Sequence, residues 1–134
     1  MQALVLGKFM PLHKGHLAMI RYAASCCDEL VVLLAARDFE EIPGPERLSW
    51  LKESFRSEPG IRIDYTEEDL PRAQHSCRWV SAVWARYLAA RYPRLELIVS
   101  SEAYGDYLAG AMGIRHLAFD PERRQVPVSG TLLR

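Results

Sequence analysis

The sequence predicts an α/β fold, an open parallel sheet of about five strands with helices on both faces. Apolar runs of strand length recur along the chain, with helical segments between them, at residues 3–6, 30–34, 61–65, 95–99 and 114–119. Parallel strands need long crossover connections, so strands that alternate with helices in a short chain favour a parallel sheet. Such sheets bind ligands at the carboxyl ends of their strands, where the strand order reverses.

Each segment between the strands carries a helical pattern, because its apolar residues recur every three to four positions. The second helix is predicted to begin at Pro45, the third at Trp79 and the fourth at Glu102, with Gly113 closing the fourth. Residues 38–45 contain two prolines and a glycine and predict a mobile loop at the carboxyl end of the second strand.

Length, charge and cysteine content bound the class of protein. The 134 residues fit one domain, and 17 Lys and Arg offset 17 Asp and Glu. This balance argues against a broadly basic protein, so we expect neither a nucleic-acid partner nor a membrane partner. The longest apolar runs are too short for a membrane span, and the N-terminus lacks the features of a signal peptide. Three cysteines without ligand spacing indicate a reducing compartment, hence the cytoplasm, and no metal-ligating side chains.

The string GKFMPLHKGH, residues 7–16, follows the first strand and enters the first helix. Gly7 lets the backbone turn sharply, and Pro11 fixes the loop. Gly15 is predicted to open the helix, whose N–H groups and positive dipole end form an anion site. The string is not a Walker A motif, since the G-x-x-x-x-G-K-[ST] pattern is lacking.

His13 and His16 are three residues apart, so both imidazoles project to one side once the helix has begun. Together with the cation of Lys8 they suit a polyphosphate, because they can donate hydrogen bonds where negative charge grows during phosphoryl or nucleotidyl transfer. The alternative is that both histidines are ordinary surface-loop residues. The combination of strand, glycine, Pro-x-His-x-Gly-His and helix favours the functional interpretation.

Residues 13–16 resemble the HxGH signature of the nucleotidyltransferase superfamily, which has a Rossmann-like, adenine nucleotide alpha hydrolase-like fold. The longer string over residues 7–13 resembles compact nicotinamide-mononucleotide adenylyltransferases, including those fused to a ribosylnicotinamide kinase. The resemblance implies transfer of AMP from ATP to the 5′-phosphate of nicotinamide mononucleotide, giving NAD and pyrophosphate. It also implies Mg²⁺ bound through the substrate phosphates, and a homo-oligomer or a fused kinase domain. Gly7, Phe9 and Gly15 would contact the nucleotide.

The closing string VSGTLLR, residues 128–134, is similar to the SxTxxR signature of the same superfamily. Ser129 is a good N-cap, and Thr131 adds a hydroxyl near the start of a helix. Arg134 lies about one turn further on and could reach the same anion. The resemblance implies that these three residues hold the triphosphate tail. The alternatives are an ordinary capped helix or a disordered tail. Residues 1–134 are thus expected to form one nucleotidyltransferase domain that stops at the start of its C-terminal helix.

Four further residues match positions in motifs of the same family. Arg123, in the segment before the rear motif, matches kinase-fused members. Arg47 matches the arginine of a GERxxxL segment and is implied to clamp phosphate, with a solvated first-turn residue as the alternative. Trp79 occupies a position like that of a tryptophan that stacks on nicotinamide, with core packing as the alternative. Ser100 matches a T/S-S-E segment beside the nucleotide, with a plain N-cap as the alternative.

The implied mechanism assigns His13 and His16 to the α and β phosphates and Lys8 to the bridging oxygens. Arg134 joins them as a catalytic residue. Two alternatives stay open. Another acceptor or nucleotide would make the protein a phosphopantetheine adenylyltransferase or a cytidylyltransferase, and a domain without turnover would be a nucleotide sensor. The choice between an amide and an acid pyridine substrate is open as well.

Overall fold

The computed structural model describes residues 1–37, 40–68, 70, 78–101 and 104–119, in which strands and helices alternate. The strands of this part of the chain are β1 (Gln2–Gly7), β2 (Glu29–Ala35), β3 (Ile61–Thr66), β4 (Leu95–Ser100) and β5 (Arg115–Ala118). The helices between them are α1 (Lys14–Ser25), α2 (Gly44–Ser54), α3 (Arg78–Arg91) and α4 (Tyr104–Met112).

All neighbouring strands are parallel, and their order across the sheet is β3-β2-β1-β4-β5. The chain builds outward from β1 to the edge strand β3 and then crosses back to place β4 beside β1. The strand order therefore reverses between β1 and β4, and the carboxyl ends of these two strands flank the crevice where such sheets bind ligands. The predicted fold class is confirmed.

The sheet is buried on both faces because alternate residues of each central strand pack against different helices. Ala3 and Val5 of β1 join one core cluster with residues of α1 and α2. Leu4 and Leu6 join a second cluster with residues of α3 and α4. This two-sided burial explains why the strand runs in the sequence are continuously apolar rather than alternating.

Three helices begin one residue earlier than predicted: α1 at Lys14, α2 at Gly44 and α3 at Arg78. At α2, Pro45 is helical as predicted, and Gly44 also belongs to the helix, so the loop predicted over residues 38–45 extends no further than Pro43. Proline is favourable in a first helical turn, because the N–H group it lacks would have no partner within the helix. A Cβ at Gly44 would lie 2.8 Å from the Cβ of Ala36, so the start of α2 packs closely on the chain after β2.

Gly113 follows α4 with a φ of 70°, which confirms the predicted left-handed end of that helix. The predicted C-terminal helix falls outside the described residues. In the described ranges, no helix combines the length and apolar character needed to cross a bilayer.

Candidate functional site

The predicted site residues that the structure describes lie at the carboxyl edge of the sheet. In a parallel α/β fold each helix begins just after the strand that precedes it, so the starts of α1 to α4 lie along that edge. The front loop, residues 8–13, leaves β1 at the point where the strand order reverses. Arg47 and Trp79 lie in the first turns of α2 and α3, and Ser100 ends β4 beside β1.

His13 and His16 cap the start of α1 in a reciprocal pair. The Nδ1 atom of His13 accepts a hydrogen bond from the N–H of Gly15 at 3.0 Å. The Nδ1 atom of His16 accepts one from the N–H of His13 at 3.2 Å. His13 is thus the N-cap and Lys14 the first helical residue, one position before the predicted opening at Gly15. Because the Gly15 N–H is bonded to the cap, it does not point to an anion as the sequence predicted.

The capping bonds fix the tautomer of both rings. Since each Nδ1 atom accepts a hydrogen bond, the proton of each neutral ring resides on Nε2, which makes Nε2 a donor. The rings stack with centroids 3.8 Å apart and planes at 21°. The two imidazoles are therefore nearly parallel, and each carries its proton on Nε2. The Nε2 atom of His13 is buried, so its contact with a phosphate requires the neighbouring surface to move.

Phe9 supports the ring of His16 from the core. Its side chain is 3% exposed, and its ring meets the imidazole of His16 edge-on, with centroids 5.0 Å apart and planes at 80°. Its φ is 51°, which is uncommon for a residue with a side chain. A Cβ at Gly7 would lie 3.0 Å from the Phe9 ring, which accounts for the glycine. Because its ring is buried, Phe9 could contact a nucleotide only through its backbone.

Lys8, Glu40 and Arg47 form a cluster beneath the front loop. Glu40 accepts hydrogen bonds from the Lys8 ammonium at 2.6 Å and from the Arg47 guanidinium at 2.5 Å. A third comes from the N–H of Arg37 at 2.7 Å. Burial alone would raise the pKa of the Glu40 carboxyl, but these hydrogen bonds outweigh it and lower the pKa to about 2. The carboxylate is therefore ionised at any pH near neutral.

Arg47 is fully buried, so the solvated alternative for this residue was wrong. Its Nη1 atom donates to the carbonyl oxygen of Lys8 at 2.9 Å, and its Nη2 atom is paired with Glu40. The side chain supports the front loop from below. The sequence did not single out Glu40, because this partner becomes apparent only when the chain between β2 and α2 folds back over β1.

Trp79 is 68% exposed, whereas Trp84 on the same helix is 4% exposed. The core alternative for Trp79 was therefore wrong, and the tryptophan of α3 that packs in the core is Trp84. An exposed indole at the start of α3 lies at the same edge of the sheet as the front loop. It is accessible for stacking on a planar ligand.

The Ser100 side chain takes part in a network between β4, α4 and β5. Its hydroxyl lies 2.7 Å from His116 Nε2, and His116 Nδ1 lies 2.6 Å from a carboxylate oxygen of Asp106. Ser100 is 1% exposed, so its hydroxyl braces the end of β4 and is not presented at the surface. The nearby Tyr104 hydroxyl donates to the carbonyl of Leu6 at 2.7 Å and ties α4 to the end of β1. Sequence reasoning missed this network, because the spacing of its members follows no known motif.

The remaining predicted residues, Arg123, Ser129, Thr131 and Arg134, lie outside the described part of the chain. Within that part, no group of three or more His, Cys, Asp or Glu side chains is placed to hold a metal ion.

The sheet order and the capped loop at its reversal point are those of the Rossmann-like class of nucleotide-binding α/β domains. Residues 4–134 match the family model described as cytidylyltransferase-like. The chain belongs to this family.

Relatives of known function resemble the chain over most of its length. The trifunctional NAD biosynthesis/regulator protein NadR of Escherichia coli is 31% identical over 144 residues, which cover 97% of this chain and 35% of that protein. The nicotinamide-nucleotide adenylyltransferase of Sulfurisphaera tokodaii is 30% identical over 105 residues, covering 75% of this chain and 58% of that protein. The chain thus spans about a third to three-fifths of the length of these relatives.

Solved structures share the fold. A NadR protein in complex with NAD and AMP-PNP superposes with a TM-score of 0.69 at 23% identity, covering 98% of this chain and 41% of the other. A bifunctional NMN adenylyltransferase/ADP ribose pyrophosphatase from Francisella tularensis, complexed with AMP and a manganese ion, gives a TM-score of 0.63 at 14% identity. That match covers 89% of this chain and 36% of the other.

Proposed function

We propose that the domain transfers AMP from ATP to the 5′-phosphate of nicotinamide mononucleotide, giving NAD and pyrophosphate. The reciprocal cap at the start of α1 is the observation that carries this proposal, because it orients two Nε2–H donors at the reversal point of the sheet. The names of the relatives support the same chemistry, since they include nicotinamide-nucleotide adenylyltransferases and NAD biosynthesis proteins.

The reaction requires no general base, because the attacking phosphate of the acceptor is already an anion at neutral pH. An oxygen of this phosphate forms a bond to the α-phosphorus of ATP. The bond from that phosphorus to the bridging oxygen of the β-phosphate breaks, and pyrophosphate leaves with the electron pair. The protein must align the two reactants and stabilise the charge that develops on the departing oxygens.

The front loop supplies the groups for the α and β phosphates. His13 and His16 donate from Nε2, and Lys8 neutralises charge on the bridging oxygens. Gly7 leaves room for the Phe9 ring beneath the loop, and the Gly15 N–H acts indirectly by fixing the ring of His13. Ser129, Thr131 and Arg134 would hold the β and γ phosphates, with Arg123 close to them.

Mg²⁺ would enter with ATP. The acidic side chain described beside the front loop, Glu40, is already bonded to two cations, so a metal ion would be held by phosphate oxygens and water. When bound, the ion would neutralise phosphate charge.

The acceptor would be recognised near the start of α3. Trp79 presents an exposed indole face, and a cationic pyridinium ring stacks favourably on such a face. Arg47 and Ser100 would act from below the surface, by holding the front loop and the end of β4 against the nucleotide. A fused kinase domain and a second copy of the chain stay predictions of the resemblance, and a cytoplasmic location stays a prediction from the cysteine content.

A panel of substrates tests this proposal. ATP or CTP is combined in turn with nicotinamide mononucleotide, nicotinate mononucleotide and 4′-phosphopantetheine, and both pyrophosphate release and product mass are measured. We expect ATP with a pyridine mononucleotide to be the productive pair. A productive pair of ATP with 4′-phosphopantetheine would instead favour the second candidate, since the phosphopantetheine adenylyltransferase of an Arthrobacter species is 32% identical over 84 residues. Tight binding of ATP or NAD without any product would indicate a sensor.

A further inference from the structure

Glu40 joins the two cations beside the front loop into a closed ring of contacts. Its Oε2 atom accepts from Lys8 Nζ at 2.6 Å, and its Oε1 atom accepts from Arg47 Nη2 at 2.5 Å. Arg47 Nη1 then donates to the carbonyl oxygen of Lys8 at 2.9 Å. The backbone and the ammonium of Lys8 are thus both held by the same acid–base pair.

We propose that Glu40 is a positioning residue that acts through Lys8, holding its ammonium at the reversal point of the sheet for the bridging phosphate oxygens. This inference deepens the proposed function and rests on it. A lysine side chain has four rotatable bonds. If it becomes ordered only when the substrate binds, the loss of its conformational entropy opposes both binding and catalysis. A hydrogen bond that holds one of its three N–H groups before the substrate binds removes much of this entropy cost.

Glu40 is itself held rigidly enough to act as an anchor. Its side chain is 9% exposed, and a third hydrogen bond comes from the N–H of Arg37 at 2.7 Å. Arg47, which shares the carboxylate, is fully buried. A carboxylate fixed by two groups besides Lys8 cannot follow the ammonium as it moves, so the ammonium must stay where the carboxylate holds it.

The charges of the cluster agree with this role. Two cations and one carboxylate leave a net charge of +1, so the cluster still attracts phosphate. The side chain of Lys8 is 31% exposed and is the part of the cluster that a ligand can reach. Glu40 therefore reduces the positive charge of the cluster without cancelling it. The attraction for phosphate becomes weaker, but the Lys8 ammonium is held in a fixed position.

A double-mutant cycle tests the inference in the intact chain. Glu40→Gln keeps the size of the side chain and removes its charge, and Lys8→Met removes the group through which Glu40 acts. We expect Glu40→Gln to lower kcat/KM about tenfold when Lys8 is present, chiefly through kcat, and by less than about twofold in the Lys8→Met background. Equal losses in both backgrounds would overturn the inference. Glu41→Gln, an exposed neighbour with the same change of charge, is the matched control and should be unchanged.

A second set of variants tests the inference if Glu40→Gln does not fold. Glu40→Gln leaves the buried Arg47 guanidinium without its counter-charge, which is strongly destabilising. If that variant does not fold, the cycle is repeated with Arg47→Met in all four variants, so that Glu40→Gln no longer leaves a buried cation unpaired, and the same dependence of its effect on Lys8 is expected. Independence from Lys8 would again contradict the inference.

The two proposals fail in different ways. If the unsubstituted chain does not turn over ATP with any acceptor, the proposed function fails. The ATP affinity of the four proteins of the cycle is then measured by titration calorimetry. An effect of Glu40→Gln on ATP affinity that disappears in the Lys8→Met background supports the positioning role, and additive effects contradict it.

Discussion

The imidazoles of His13 and His16 stack with centroids 3.8 Å apart, and each ring bonds through Nδ1 to a backbone N–H at the start of the same helix. Each histidine therefore has two functions at once. The Nδ1 atom stabilises the beginning of α1, and the Nε2 atom of the same ring carries a proton that it can donate. One residue pair thus links the folding of the loop to the chemistry proposed for it.

Replacing His16 separates these two functions. Glutamine is a common capping-box residue at this helical position, since its side chain can accept from the N-cap N–H. We expect both His16→Gln and His16→Ala to lower turnover about a hundredfold or more, because both lose the imidazole whose Nε2–H donates to the developing charge. His16→Gln should keep a melting temperature closer to that of the unsubstituted protein. Near-normal NAD formation by either variant would remove His16 from the mechanism.

His13 allows the same separation from the other side of the cap. Asparagine is among the best N-cap residues, so His13→Asn should preserve α1, whereas His13→Ala should lower the free energy of unfolding by about 1 kcal/mol. Turnover should fall about a hundredfold in both variants. Urea denaturation and steady-state kinetics on the same samples check this prediction. If His13→Asn were fully active and only the less stable His13→Ala lost activity, the role of His13 would be helix capping alone.

Trp79 should affect the acceptor and not ATP. Loss of an aromatic face from a cationic ring weakens binding, so Trp79→Ala should raise the KM for nicotinamide mononucleotide about tenfold. The KM for ATP should stay within about twofold. Trp50→Ala removes another exposed tryptophan, 39% accessible on α2, and serves as the control with both constants unchanged. An equal change in both KM values for Trp79→Ala would argue against stacking on nicotinamide.

The acid stability of the protein should depend on Glu40. Its carboxyl has a pKa of about 2 in the folded state against an ordinary value of 4.5, so the folded state binds fewer protons between these limits. The stabilisation is complete above about pH 4.5 and is lost as the pH falls toward 2. Glu40→Gln should be less stable than the unsubstituted protein by about 3 kcal/mol at neutral pH, and this difference should shrink toward pH 2. Glu41→Gln should show no such convergence in urea denaturation.

Two glycines of α4 should respond in opposite directions to alanine. A Cβ at Gly105 would overlap Ser100 Oγ and would lie 2.8 Å from His116 Cδ2, so Gly105→Ala should destabilise the fold by about 1–3 kcal/mol. Nothing lies within 4 Å of a Cβ at Gly110, and Gly110→Ala should stabilise the helix by about 0.5–1 kcal/mol. Thermal unfolding measures both. Equal shifts for the two variants would contradict the close approach of α4 to β4.

The sequence was sufficient for the fold because the determining signals are local. Apolar runs as continuous as that of β2 occur where both faces of a sheet are buried, and the glycine after α4 marks the end of a helix. These features depend on neighbours within a few residues of each other. The position of the front loop at the reversal point did not follow in this way, because it depends on the pairing of β1 with the distant strand β4.

The contacts between loops were not predictable in the same way. Glu40 pairs with Lys8 across 32 positions and with Arg47 across 7, and no periodicity relates such residues. His116 meets Ser100 only because β5 pairs with β4 in one particular register. Partners of this kind are set by tertiary packing. The sequence therefore indicated that Arg47 is a candidate cation of the site, but not that its side chain is buried and bonded to the front loop.

The most direct measurement is a crystal structure of the protein with a non-hydrolysable ATP analogue. We expect Nε2 of His13 and Nε2 of His16 each to lie within about 3.2 Å of an oxygen of the α or β phosphate. The Lys8 ammonium, still bonded to Glu40, should face the same phosphates. Phosphates bound away from the start of α1, with both imidazoles pointing elsewhere, would contradict it.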